Sequence, residues 1–119
     1  MTFKVFVSMG FKNESSVDIY KYAKRATEIV KFRSEYARDD DVFMPVTNYE
    51  FRANSDKGNI KLQQYSNALK LMSECDYFVM LKEKDGSIPL GCTIETLAWS
   101  AASPGNEPIM LCKSSVDIS

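Results

Sequence analysis

Histidine is absent from the 119 residues. A His general base, a Ser-His-Asp triad, a Cys-His pair and any His-ligated metal are therefore excluded within this chain. Whatever chemistry it performs must come from carboxylates, hydroxyls, thiols, amines or the backbone. Cysteine is scarce: Cys75, Cys92 and Cys112 are odd in number, and their wide spacing matches no zinc or CxxC pattern. No metal site and no cofactor are expected. Cysteines inside apolar runs behave as small buried hydrophobes, which points to a reducing, cytoplasmic setting. An excess of charge is lacking too, with 15 Lys+Arg against 16 Asp+Glu and a formal net charge of −1. A nucleic-acid partner usually needs a basic face, so none is expected, whereas a small anionic ligand held by a few local donors remains open. No apolar run approaches the ~18 residues of a membrane span, and the opening MTFKVFVSMG is too quickly interrupted for a signal peptide. No membrane partner is expected.

What is present suits one layered domain over residues 1–119, with 45% apolar and 12% aromatic residues for a core. Four short apolar runs read as strands: Phe3 to Ser8, Val42 to Val46, Tyr77 to Leu81 and Pro108 to Cys112. Three of them are apolar at nearly every position, as in a parallel sheet covered on both faces. Between them lie helical periods. Ile19, Ala23, Ala26 and Val30 mark a helix from Ser15 to about Tyr36, with Asn13, Ser15 and Ser16 as candidate caps. Leu62, Tyr65, Leu69 and Met72 mark a second from about Asn59 to Glu74, and a third runs from about Gly91 to Ala102 before Ser103-Pro104-Gly105 stops it. Alternation of this kind predicts an α/β fold: a flavodoxin-like or Rossmann-like three-layer sandwich with a four- to five-stranded parallel sheet in the order 2-1-3-4. No regulatory extension is expected after the fourth run. In such sheets ligands bind outside the carboxyl ends of the strands.

Three segments are expected to converge there: Ser8 to Asn13, Thr47 to Gly58 and Lys82 to Glu95. In Ser8-Met9-Gly10-Phe11-Lys12-Asn13, Gly10 lets backbone approach a ligand, a helix start favours an anion, and Ser8, Lys12 and Asn13 add donors. An ordinary capped turn explains the same residues. In Asn48 to Asn54, Arg52 suits an anion or base contact, while Tyr49 and Phe51 suit a planar ring or the core. In Asp85 to Trp99, Ser87 and Gly91 flank the start of the third helix, and Glu95 follows in its first turns. An ionised carboxylate beside an anomeric carbon acts as nucleophile or oxocarbenium stabiliser. A glutamate that merely complements the helix dipole is the plainer alternative. Trp99, one turn beyond, reads as packing rather than a base platform.

The succession Phe3–Ser8, Glu74-Cys75-Asp76, Gly91-x-x-x-Glu95-x-x-Ala98 and Pro108–Cys112 resembles the nucleoside 2-deoxyribosyltransferase superfamily, which includes deoxynucleoside monophosphate N-glycosidases. The resemblance implies a flavodoxin-like sheet, with Glu95 as the nucleophile that attacks C1′ of a (deoxy)ribosyl group and displaces the base. It also implies nucleotide binding by the Ser8–Gly10 loop and close backbone approach at Gly91. Lys12, Asn13 or Arg52 would hold a phosphate. The small residues Ala98, Ala101 and Ala102 let another helix approach, and in the family a neighbouring chain closes the pocket, so a homo-oligomer is expected. Three positions depart from the pattern. Ala68 stands where the family has an Asp ahead of Asp76, Pro89 replaces a polar residue, and near strand 1 only Phe6 and Phe11 stand where a Tyr would orient the glutamate, with Tyr65 or Tyr49 as substitutes. The expected function is an N-glycosidase or deoxyribosyltransferase acting on a (deoxy)nucleotide. The alternative is a non-catalytic nucleotide-binding module, a sensor or sequestering protein, on the same fold.

Overall fold

The residues of the first strand alternate strictly between two different cores. Val5 and Val7 pack with the first helix, while Phe6 packs with the second and third. This is the period of two that a pleated strand imposes, and it assigns one helical layer to each face of the sheet. The computed structural model describes residues 1–49 and 60–119, in the second stretch with side chains from residue 65 onward. Its elements in order are β1 (Thr2–Ser8), α1 (Ser16–Arg33), β2 (Val42–Val46), α2 (Ile60–Ser73), β3 (Tyr77–Lys82), α3 (Leu90–Ala102) and β4 (Ile109–Cys112). A single 3-10 turn, Lys113–Ser115, follows β4.

Among the described residues the four strands form one parallel sheet in the order β2-β1-β3-β4, with pairings such as Phe3 to Phe43, Phe6 to Phe78 and Leu81 to Leu111. The expected flavodoxin-like three-layer arrangement is therefore the observed one. On one face Ile19, Tyr22, Ala23, Ala26 and Val30 of α1 cover Val5, Val7, Val79 and Leu81. On the other, Phe6 stacks on Phe78 at 5.6 Å between ring centroids and Phe78 on Trp99 at 5.6 Å, with Met80, Ala68, Met72 and Cys92 around them. Fully burying each such aromatic contributes about 1.5–3 kcal/mol.

Three local features differ from the sequence pattern or explain it. Helix α1 ends at Arg33 rather than near Tyr36, because Ser34 turns to extended backbone and its amide donates to the carbonyls of Val30 and Lys31. At its other end Ser15 is the cap, its hydroxyl accepting from the Asp18 amide at 3.1 Å. Strand β2 is apolar yet half-exposed because it lies at the sheet edge, where Pro45 is tolerated and blunts further pairing. Asp76 locks the amino end of β3: its carboxylate accepts from the Lys4 amide at 2.9 Å, and its own amide donates to the Lys4 carbonyl at 2.8 Å. The Glu74-Cys75-Asp76 segment thus serves the end of the sheet away from the candidate site. No helix among the described residues is long and apolar enough to cross a membrane.

Candidate active site

Helix α3 buries Cys92, Glu95 and Trp99, a stripe of three- and four-residue steps laid on the sheet. A carboxylate in such a stripe is costly unless it is hydrogen-bonded. The partner comes from the strand alternation: Ser8 shares the sheet face of Phe6, and its hydroxyl donates to Glu95 Oε1 at 2.9 Å. Both are buried, Ser8 at 1% exposure and Glu95 at 7%. Glu95 stands in the second turn of α3, not the first, so the helix dipole counts for less than this bond. Ser8 itself sits behind the glutamate and is not among the cavity-lining residues.

Glu95 forms part of the wall of a cavity of about 230 Å³ at the carboxyl ends of the strands. Around it stand Met9, Gly10 and Phe11 of the first loop, Asn48 after β2, Tyr65 of α2, and residues 89–92 at the start of α3. Sites for drug-sized ligands span roughly 300–1,000 Å³, so this space suits a small polar ligand or the sugar end of a larger one. Pro89 at the N-cap of α3 provides no side-chain bond, and the amides of Cys92 and Thr93 turn back to the Pro89 carbonyl. Leu90 and Gly91 come before any intrahelical acceptor, which leaves the helix start suited to an anion or a sugar hydroxyl. A Cβ placed on Gly91 would meet nothing within 4 Å, so the glycine keeps the wall open rather than relieving a protein contact.

Burial, reinforced by the charges of Glu95 and Glu83, pushes the Cys92 thiol up to about 11, with a Ser8 hydrogen bond opposing. Cys92 is therefore a neutral thiol in the cavity wall near neutral pH. Burial likewise pushes Cys75 up to about 12. The Cys112 thiol is held below its ordinary value chiefly by the Ser114 hydroxyl, which donates to its sulfur at 3.0 Å.

The remaining expected residues divide. Gly10 lines the cavity, pressed so closely that a Cβ there would lie 2.6 Å from Glu83 Oε1 and 3.0 Å from Pro89 Cγ. Lys12, Asn13 and Ser87 instead line a separate, shallower depression with Glu14, Glu83, Lys84 and Asp85. The cause is local. Asn13 takes a left-handed φ of 65° and the Glu14 amide closes onto the Phe11 carbonyl at 3.2 Å, which turns the chain at this point. Ser87 is engaged with Asp85, donating from its hydroxyl at 2.6 Å and its amide at 2.9 Å, and these bonds hold the Asp85 carboxyl below its ordinary range. Arg52 and Phe51 lie outside the described residues. Tyr49 packs edge-on against Phe11 and Tyr20. Trp99 is core, its ring N–H donating to the Asn106 carbonyl at 2.7 Å. Ala68 borders a smaller hollow of about 90 Å³ beside Glu95 and Tyr65.

Sequence reasoning did not single out Asn48 for the cavity, and it missed Lys113 and Glu83. The available signal was a lysine continuing the last apolar strand at the ligand end of the sheet, with acidic residues at two other segment ends there. No group of three or more His, Cys, Asp or Glu among the described residues is arranged to hold a metal ion. Compared with family models, curated proteins and solved structures, the chain matches none.

Proposed function

We propose that the chain is an N-glycosidase, or a deoxyribosyltransferase, that cleaves the base–sugar bond of a (deoxy)nucleotide through Glu95. The observation that carries this reading is the Ser8–Glu95 hydrogen bond. It aims a buried carboxylate from an apolar helix stripe onto the wall of a sugar-sized cavity, at the strand ends where this fold takes ligands. In the reaction, Glu95 attacks C1′ and the C1′–N bond breaks. The electron pair leaves with the base, which takes a proton from water. Water, or a second base, then attacks C1′ of the glycosyl ester and returns Glu95 as a carboxylate. Asn48 and Tyr65 line the same cavity and offer an amide and a phenol to the ligand. The test is chromatographic: incubation with a panel of ribo- and deoxyribonucleoside monophosphates should release a free base from at least one. A panel with no base released at high protein concentration, but with ligand-induced thermal stabilisation, would favour the second reading, a non-catalytic nucleotide-binding module. That reading draws on Ala68 in place of an acid and on the placement of Lys12 and Asn13 outside the cavity.

Gly91 separates a ligand wall from a structural turn. Gly91→Ala is expected to leave the melting temperature unchanged or raise it, because Ala is favoured over Gly within a helix by up to about 1 kcal/mol. The added methyl enters the cavity, and nucleotide affinity by calorimetry is expected to fall about ten-fold, roughly 1.4 kcal/mol. Unchanged affinity would remove Gly91 from the ligand site. We also infer a homo-oligomer in a reducing, cytoplasmic setting, on the exposed Leu90, Ile94 and Leu97 of α3 and the three free thiols. Light scattering at micromolar concentration should give a multiple of the 13.5 kDa chain mass, and a monomer would exclude it.

A further inference from the structure

Lys113 has a side chain with no solvent exposure, although it follows directly on β4. Its ammonium donates to the Gly10 carbonyl at 3.0 Å, to Glu14 Oε1 at 3.3 Å and to Glu83 Oε1 and Oε2 at 3.1 and 3.3 Å. It also lies 5.6 Å from the centre of the Tyr22 ring. These partners come from the first loop, the approach to α1, the segment after β3, and α1 itself. One buried cation thus joins four segments at the carboxyl end of the sheet, and buried charges of this kind persist only when paired.

The contact with Gly10 bears on the candidate site. Gly10 is a cavity wall residue, held from behind by Lys113. On its other sides it abuts Glu83 and Pro89, and Pro89 is the N-cap of the helix that carries Glu95. The chain of contact therefore runs from Lys113 through Gly10 to Pro89 and the start of α3. We infer that Lys113 is a positioning residue that fixes the Gly10 wall against the α3 N-cap and so sets the seat in which a sugar faces Glu95. This rests on the glycosidic reading of the cavity. Lys113 does not touch the reacting atoms. It acts by pre-organisation, which lowers the ordering cost that substrate binding would otherwise meet.

The experiment uses Lys113→Met, which keeps most of the unbranched side chain and removes the ammonium with its charge, at a temperature where circular dichroism reports a folded protein. The amide resonances of Gly10, Phe11 and Gly91 are expected to move or broaden while those of Phe6 and Val79 stay in place, and KM for base release is expected to rise about ten-fold. A purely structural lysine would lower the denaturation midpoint yet leave KM and the Gly91 resonance unchanged, and that result overturns the inference. Should the wild-type chain release no base, the glycosidic reading fails by itself, and the resonances still decide whether Lys113 governs the Gly10 wall. Should Lys113→Met not fold, Glu83→Gln weakens the same cluster from the other side. It is expected to give the same local pattern with a smaller rise in KM, and unmoved Gly10 and Gly91 resonances in that variant would equally overturn it.

Discussion

Glu95→Gln is expected to lower base release by more than about 10³-fold while nucleotide affinity stays within a few-fold of the wild-type value. The amide has the shape of the carboxylate, and its oxygen still accepts the Ser8 hydroxyl, so the cavity wall keeps its form. What disappears is the charge that attacks C1′ or stabilises the developing oxocarbenium, an interaction made only as the base departs. Ser8→Ala separates orientation from chemistry. It removes one hydrogen bond to a charged group, worth about 1.5–3 kcal/mol, and should slow kcat by roughly 10- to 100-fold with little change in KM. Both variants are read by chromatography of released base and by calorimetric titration of the nucleotide. Base release by Glu95→Gln within ten-fold of wild type would remove the nucleophile assignment. Equal losses of affinity and rate in both variants would assign the Ser8–Glu95 pair to the framework of the cavity instead.

The strand and helix order was legible because burial on both sheet faces leaves near-continuous apolar runs, and these fall within one or two residues of the observed strands. Glu95 was legible from its place in the first turns of the third helix and from the Gly91-x-x-x-Glu95 resemblance, whereas its burial in one stripe with Cys92 and Trp99 is a finding of the structure. The role of Ser8 was within reach but was assigned to the ligand. Counting alternately from Phe6 places its side chain beneath α3, whereas its position at a strand end suggested a loop donor. The placement of Lys12 beside a separate depression was not legible, because a single left-handed residue, Asn13, turns the loop tip. The burial of Lys113 was hidden for a different reason. A lysine after a strand ordinarily marks a solvated end, and its partners Glu14 and Glu83 stand 99 and 30 residues away. Only the strand order brings these acids to the same end of the sheet, so the cluster is a property of topology rather than of any local pattern.

That cluster should dominate the energetics of the carboxyl face. Lys113→Ala is expected to destabilise the fold by about 3–5 kcal/mol, because it leaves Glu14 and Glu83 part-buried and facing each other without their cation. Against a typical total of about 5–15 kcal/mol this is a large fraction, and at about 4 °C per kcal/mol the melting temperature should fall by roughly 10–20 °C. The exposed pair Arg25–Glu28 is the internal comparison. Both its side chains are 49% exposed at 2.9 Å separation, and Arg25→Ala should cost less than about 1 kcal/mol. Urea denaturation of the two variants measures the difference, and near-equal midpoints would show that burial adds nothing to the Lys113 contacts. The double variant Lys113→Met with Glu83→Gln is the sharper test. If the loss in Lys113→Met comes from stranded carboxylates, removing one of them restores part of the stability, so the double variant should be more stable than Lys113→Met alone. If the loss comes only from the missing bonds of Lys113, neutralising Glu83 restores nothing, and the double variant is no more stable than the single one.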